Sequence, residues 1–323
     1  MSPFLKNIYL ISLIFLLQAC QYQTDVEQQW VHDKAGLLNA SLSKDGSLAL
    51  VSITNGVAQL IEVATNTVLH RWQHTDNNKG IIATAISANN KFAITAESNS
   101  LALWEVKSGK IIGYWDFPNI TDIAISNNGQ HALIGMESNK AYYFDLYYGK
   151  IIYSFKHNGF VNTVALSHNG RYAITGANDQ YAKLWDLKTG KLTQQWRQNF
   201  KIFNVALSDD GRYAMSNASL GKTKLWDTET GDKLSQLPMR YMTVSASQFS
   251  ADSQHLLTGR PNQRIDLWDV KTGNLLNTWM PKKDVIWGNE AAAIIALAFS
   301  SDGQYIYNET SSGIAQKWKI TNK

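Results

Sequence analysis

Cysteine is almost absent: Cys20 is the single one in 323 residues, so no intramolecular disulfide staples this chain. Proline is scarce, at five residues, and after residue 20 no stretch carries sustained helical periodicity, which argues against a helical bundle or solenoid. No run of Lys or Arg occurs, and the net charge of +4 is small for this length. A nucleic-acid binder normally shows a basic stripe, because phosphate neutralisation supplies most of its affinity, so no nucleic-acid partner is expected. The seven histidines are scattered, with no His-Glu-x-x-His, Cys/His or facial-triad spacing, so neither a metal nor a cofactor is expected. No glycine-rich phosphate loop opens a helix either. Aromatics are plentiful, with 11 Trp and 14 Tyr in a chain that is 44% hydrophobic. A large core is therefore within reach.

The first twenty residues form an address. Lys6 gives a positive start, and Ile8 to Leu17 is a nearly unbroken apolar run. Ten residues are about half of what a membrane-crossing helix requires, and suit the hydrophobic region of a secretory signal. The run ends in Leu17-Gln18-Ala19-Cys20, which resembles the lipobox of bacterial lipoproteins. That resemblance implies a signal peptide over residues 1–19, acylation of Cys20, and a short linker over residues 20–25. Gln21, rather than Asp, follows the cysteine, which by the same resemblance implies an outer-membrane lipoprotein facing the periplasm.

Self-similarity decides the fold. A serine closing an apolar stretch recurs as Ser43, Ser87, Ser126, Ser167, Ser208, Ser250 and Ser300. Eighteen residues later (seventeen in the second copy) comes a Trp-Asp-like pair: Ile61-Glu62, Trp104-Glu105, Phe144-Asp145, Trp185-Asp186, Trp226-Asp227, Trp268-Asp269 and Trp318-Lys319. Eleven residues beyond the first six pairs stands another large apolar residue: Trp72, Trp115, Phe155, Trp196, Leu237 and Trp279. Within the unit Thr163–Trp196, strands are predicted at 161–167, 171–176, 182–186 and 192–197. Asn-Gly and Asp-Gly tight turns follow the serine in most copies. The expected fold class is all-β: a seven-bladed β-propeller of four-stranded antiparallel blades over residues 26–323. The seventh unit lacks an outer strand, and the segment 26–32 supplies one, because Trp30 precedes Trp72 by the repeat interval.

These repeats resemble the WD-repeat family. By that resemblance the fourth unit carries a structural tetrad of His157, Thr175, Asp179 and Trp185, linked by buried hydrogen bonds. Other units depart from it. His74 recurs in the second without an aligned Asp, and the sixth has Thr258 and Asn262; these blades are expected to rest on apolar packing.

Chemistry is hard to find. The serines of the Ser-x-x-Gly turns follow the repeat, whereas a catalytic residue should break it; no catalytic residue is expected. Small residues stand two before the serines, as Ser41, Ala85, Ala124, Ala165, Ala206 and Ala298, with Gln248 the exception. They read as tight packing around the axis. One Trp falls outside the lattice: Trp287, in an insertion reading Pro281-Lys282-Lys283-Asp284-Val285-Ile286-Trp287. Long loops on rigid scaffolds often carry function. Ile286 and Trp287 are candidate partner anchors, with Lys282, Lys283 and Asp284 as a polar rim; the bland alternative is that Trp287 covers a neighbouring blade. The leading expectation is a non-enzymatic lipoprotein scaffold that binds protein partners in the bacterial envelope. Two alternatives stay open: a ligand-binding or enzymatic propeller using the central channel, and a quinoprotein-like envelope assembly factor. The second is weakened: quinoprotein-like propellers carry an Asp-x-x-Thr-Gly segment with Trp four residues after the Gly, and here Asp186-Leu187-Lys188-Thr189-Gly190 is followed by Trp196 six after.

Overall fold

The computed structural model describes residues 25–74, 80–239, 243–280 and 292–321. Among them there is no helix, and the strands assemble into seven four-stranded antiparallel sheets arranged as a ring. The fourth blade is Val161–Leu166, Tyr172–Ala177, Tyr181–Asp186 and Leu192–Arg197, within a residue of the expected bounds. The first strand of each blade lies innermost and packs on the first strands of its neighbours.

The recurrent serine is a turn lock. In every blade its hydroxyl donates to the Asp or Asn two residues on, and its oxygen accepts the N–H five residues on. At Ser167 these bonds reach Asn169 at 2.7 Å and Tyr172 at 2.9 Å. The residue three after the serine is left-handed, a conformation glycine adopts without strain, as at Gly170 (φ 71°). The serines are thus structural.

Blades interlock through their outer strands. Trp72 stacks on Trp104 of the next blade at 5.0 Å, Phe155 on Trp185 at 4.6 Å, and Trp196 on Trp226 at 5.2 Å. The indole N–H of Trp72 and that of Trp196 donate to Gly109 and Gly231 carbonyls in the next blade's last hairpin turn. Each large outer residue therefore belongs to two blades at once.

The ring closes as the repeat count requires. Gln28–Val31 pairs antiparallel with Ile314–Lys317, so the seventh blade joins both ends of the described chain. Trp30 is buried against the first blade with Leu37, Ile61 and Val63. Beside it His32 Nδ1 meets Glu309 Oε2 at 3.1 Å, both side chains buried. Burial pushes the Glu309 carboxyl up, and the His32 contact opposes it.

Candidate functional site

The fourth blade brings its tetrad together in one chain of hydrogen bonds. Trp185 Nε1–H donates to Thr175 Oγ1 (2.9 Å), which meets His157 Nε2 at 2.7 Å; His157 Nδ1 lies 2.9 Å from Asp179 Oδ2. Asp179 also accepts the Asn158 and Tyr181 N–H groups. Burial lowers the His157 pKa, with Asp179 opposing, so the ring is neutral and donates its Nδ1 proton to the carboxylate. Burial raises the Asp179 pKa, but the bonds from His157 and Asn158 outweigh it and hold the group ionised. This is a satisfied buried network with no reacting atom to spare.

The other blades divide. The first and third follow the apolar expectation: Val51 and Ile61, or Ile134 and Phe144, occupy the Thr and Trp positions. In the third, Phe117 takes the histidine position and meets Phe144 edge-on at 5.1 Å. The remaining four correct that expectation. In the second blade His74 bridges Thr95 Oγ1 (2.6 Å) and Ser100 Oγ (2.8 Å), while Trp104 donates to Thr95. Ser100 fills the aspartate's role from a different position, because the shorter repeat shifts the turn. Burial takes the His74 pKa down to about 4, so this ring too is neutral. Trp226, Trp268 and Trp318 donate to Ser216, Thr258 and Asn308 respectively. An indole N–H buried without an acceptor would be costly, so a polar partner follows the Trp wherever it occurs.

The central channel is narrow. A cavity of about 200 Å³ is lined by Ser41, Ala85, Ala124 and Ala165, small positions read from sequence, and by Gln248, their exception. At the serine-turn end its mouth is crossed by charge. Lys44 of the first blade pairs with Asp209 of the fifth, a blade that is not its neighbour, and His168 of the fourth reaches the same carboxylate at 2.7 Å. Burial raises the Asp209 pKa, but His168 and Lys44 outweigh it and keep the group ionised. Sequence reasoning missed this bar; its only trace is that Lys44, His168 and Asp209 directly follow the serine in these three blades.

The innermost strands also hold a titratable group that the sequence reading passed over. Asp122 accepts the Val164 N–H of the next blade at 2.8 Å, and burial raises its pKa to about 6 against the bonds from Val164, Ile123 and Thr163. Asn39 and Asn204 hold the same register position and accept from Thr84 and Ser247 of their own next blades. Asp122 is therefore a blade-to-blade clasp. Its folded pKa lies above the unfolded value, so the folded state holds the extra proton, and stability falls as pH rises from about 4 to about 6. Asp122→Asn keeps the acceptor and removes the buried charge. Thermal melts should show a higher midpoint at pH 7 than wild type and a flatter profile between pH 4 and 6; an unchanged profile would refute the assignment.

On the face opposite the serine turns, the fourth and fifth blades expose several apolar side chains. Phe160, Phe200, Phe203 and Leu220 are 40–60% exposed, and Lys201 lies over the Phe203 ring at 4.7 Å. Cys20 and the candidates Lys282, Lys283, Asp284, Ile286 and Trp287 lie outside the described residues. The strands flanking the latter five, Leu275–Trp279 and Ile294–Phe299, end and begin on this same face. Among the described residues no cluster of three or more His, Cys, Asp or Glu is placed to hold a metal ion.

Residues 149–186 match the family described as WD domain, G-beta repeat. That span contains His157, Thr175, Asp179 and Trp185, the most complete hydrogen-bonded network of the ring. The fourth blade is thus similar to a WD repeat, and the seven sheets form a β-propeller, a fold that serves generally as a protein-interaction scaffold. No curated protein matches the chain.

Proposed function

We propose that this propeller is a lipoprotein anchored through acylated Cys20, and that it acts as a non-enzymatic protein-binding platform in the bacterial envelope, at the outer membrane facing the periplasm. The observation that carries the platform reading is the exposed set Phe160, Phe200, Phe203 and Leu220 on one rigid face. Large apolar groups exposed on one face are candidates for an interaction site, and aromatics dominate interface energetics. The channel is a poorer candidate, because the Lys44–Asp209–His168 bar crosses one mouth and alanines line the wall. The anchor reading rests on Leu17-Gln18-Ala19-Cys20 and the apolar run before it. Two or more acyl chains hold a protein stably where one does not.

Two substitutions test the two halves. Cys20→Ser should move the protein from the membrane fraction to the soluble fraction, with loss of metabolic labelling by palmitate. Retention in the membrane with unchanged labelling refutes the anchor. Phe200→Ser with Phe203→Ser should leave the melting midpoint nearly unchanged, since both side chains are exposed, yet abolish crosslinks to specific envelope proteins in intact cells. Unaltered crosslinking refutes this face as the platform.

A further inference from the structure

The chain enters the ring at its serine-turn end. Gln28–Val31 runs antiparallel to Ile314–Lys319, with Gln28 facing Lys317 and Val31 facing Ile314. Glu27 N–H bonds Lys317 O, and Ile320 N–H bonds Gln304 O beside the serine turn of the seventh blade. Asp25 and Val26 therefore lie at that end. Only residues 21–24 separate Asp25 from Cys20. At about 3.5 Å per residue, that stretch of chain reaches no more than about 18 Å. The hairpin turns between third and outer strands share the same end, since Val106 and Leu187 N–H groups bond the Lys91 and Arg171 carbonyls beside the serine turns.

Tyr147 and Tyr148 form the tip of the third blade's hairpin turn, where the neighbouring blades have Lys107-Ser108 and Lys188-Thr189. Asp145 accepts both of their backbone N–H groups, so the turn closes without either ring. The two side chains are 83% and 70% exposed, more than any other large apolar group among the described residues. Their rings meet edge-on at 4.9 Å, and Lys150 Nζ lies 5.0 Å from that of Tyr148. Ile111, Ile112, Ile151 and Leu192 are exposed where their outer strands begin, whereas the far ends of the same strands carry Asp116, Lys156 and Arg197. Charge is graded around this end. The hairpin turns of blades two to four set Lys107, Lys110, Lys150, Lys188 and Lys191 against Glu105, Asp145 and Asp186. The first blade's turn has Glu62 and no lysine, the sixth balances Asp269 with Lys271, and the fifth sets Asp227, Glu229 and Asp232 against Lys233.

We propose that this arc of blades two to four lies on the bilayer, with Tyr147 and Tyr148 among the lipid headgroups and the turn lysines facing the phosphates of anionic phospholipids. Tyrosine suits that depth, because its ring is apolar and its hydroxyl stays wet. Lysines close to an anionic surface are held by its potential. Blades three and four stand across the ring from blade seven, beside which the acylated segment joins. A rigid ring held at one point swings, and a second contact on the opposite side fixes its tilt. That contact can be weak, since the anchor makes it intramolecular. Phe160, Phe200, Phe203 and Leu220 are then turned away from the membrane, towards partners. This orientation rests on the acylation of Cys20 proposed above.

The test uses the acylated protein in vesicles of phosphatidylcholine containing about one-third phosphatidylglycerol, an anionic surface. A fluorophore is attached at Ser108→Cys, on a hairpin turn of this arc, or at Asn199→Cys, on the opposite face; each is the only free thiol once Cys20 carries lipid. A phospholipid spin-labelled at its headgroup serves as quencher. Quenching at residue 108 is expected to exceed that at residue 199 at least threefold. The difference should vanish in Tyr147→Ser with Tyr148→Ser and Lys150→Gln, whose melting midpoint should match wild type because all three side chains are exposed. Equal quenching at the two sites, or a difference unchanged in the triple variant, overturns the orientation; the anchor stands, because the protein still floats with the vesicles. A protein that does not float with them overturns anchor and orientation together. Loss of an envelope crosslink in the triple variant, with quenching unchanged, gives this arc to a protein partner and overturns the membrane contact.

Discussion

Thr175→Val is expected to destabilise the propeller by about 2–4 kcal/mol, because it strips the shared partner from two buried polar groups at once. Trp185 Nε1 and His157 Nε2 both bond to the Thr175 hydroxyl, which is fully buried, and valine offers neither an acceptor nor a donor. The third blade shows the other stable solution, with Phe117, Ile134 and Phe144 at the corresponding positions. The triple variant His157→Phe, Thr175→Ile and Trp185→Phe should therefore recover much of the loss, despite changing three residues instead of one. Replacing a whole polar network by apolar groups of similar shape is nearly neutral, whereas breaking it in the middle is not. Asp179 keeps its Asn158 and Tyr181 N–H bonds in that variant, so no carboxylate is stranded. Urea denaturation of the three proteins decides the matter, and a triple variant weaker than Thr175→Val alone would contradict this account.

At the seam, Trp30→Ala should lower stability by about 3–5 kcal/mol, the range for truncating a buried aromatic. Trp30 joins Gln28–Val31 to the first blade, packing with Leu37, Ile61 and Val63, so its loss loosens two blades together. His32→Ala acts at the same place by a different route. It leaves Glu309 buried without its histidine, and burial already raises that carboxyl above its ordinary value. The folded state then holds the Glu309 proton more tightly than the unfolded chain does. The variant should therefore lose more stability at pH 8 than at pH 5 relative to wild type. Paired denaturation curves at the two pH values read this out; an equal loss at both would remove Glu309 from the explanation.

Much of the fold was legible because its signals are local. The bonds that make Ser167 a lock reach only two and five residues along the chain, so the same spacing had to recur in each blade. The fourth-blade tetrad was legible for a related reason, since all four of its residue types are present at regular offsets from Ser167. Ser100 was missed because a turn one residue shorter moved the acceptor to a new register, and the polar partner changed from Asp to Ser. Asn308 was missed because an amide does the work of a hydroxyl there. The channel bar was beyond reach from sequence. Lys44 and Asp209 are 165 residues apart and belong to blades that are not neighbours, so only ring curvature brings them together. The exposed phenylalanines carried no signal either, because exposure depends on what neighbouring loops leave uncovered.

Joining both chain ends in one blade also sets the order in which this protein can be made. The Gln316–Gln29 contact spans 287 residues, whereas every other blade is built from one contiguous stretch of chain. Pairings so distant in sequence are slow to form, since loop closure must precede any gain from contact. Blades one to six can assemble as they emerge, while Trp30 and the edge of Gln28–Val31 wait unpaired until Ile314–Lys319 appears. An open strand edge is a template for pairing with another molecule. The closing clasp thus doubles as the point where an unfinished ring is most exposed to aggregation, or to exchange of its first strand with a second copy.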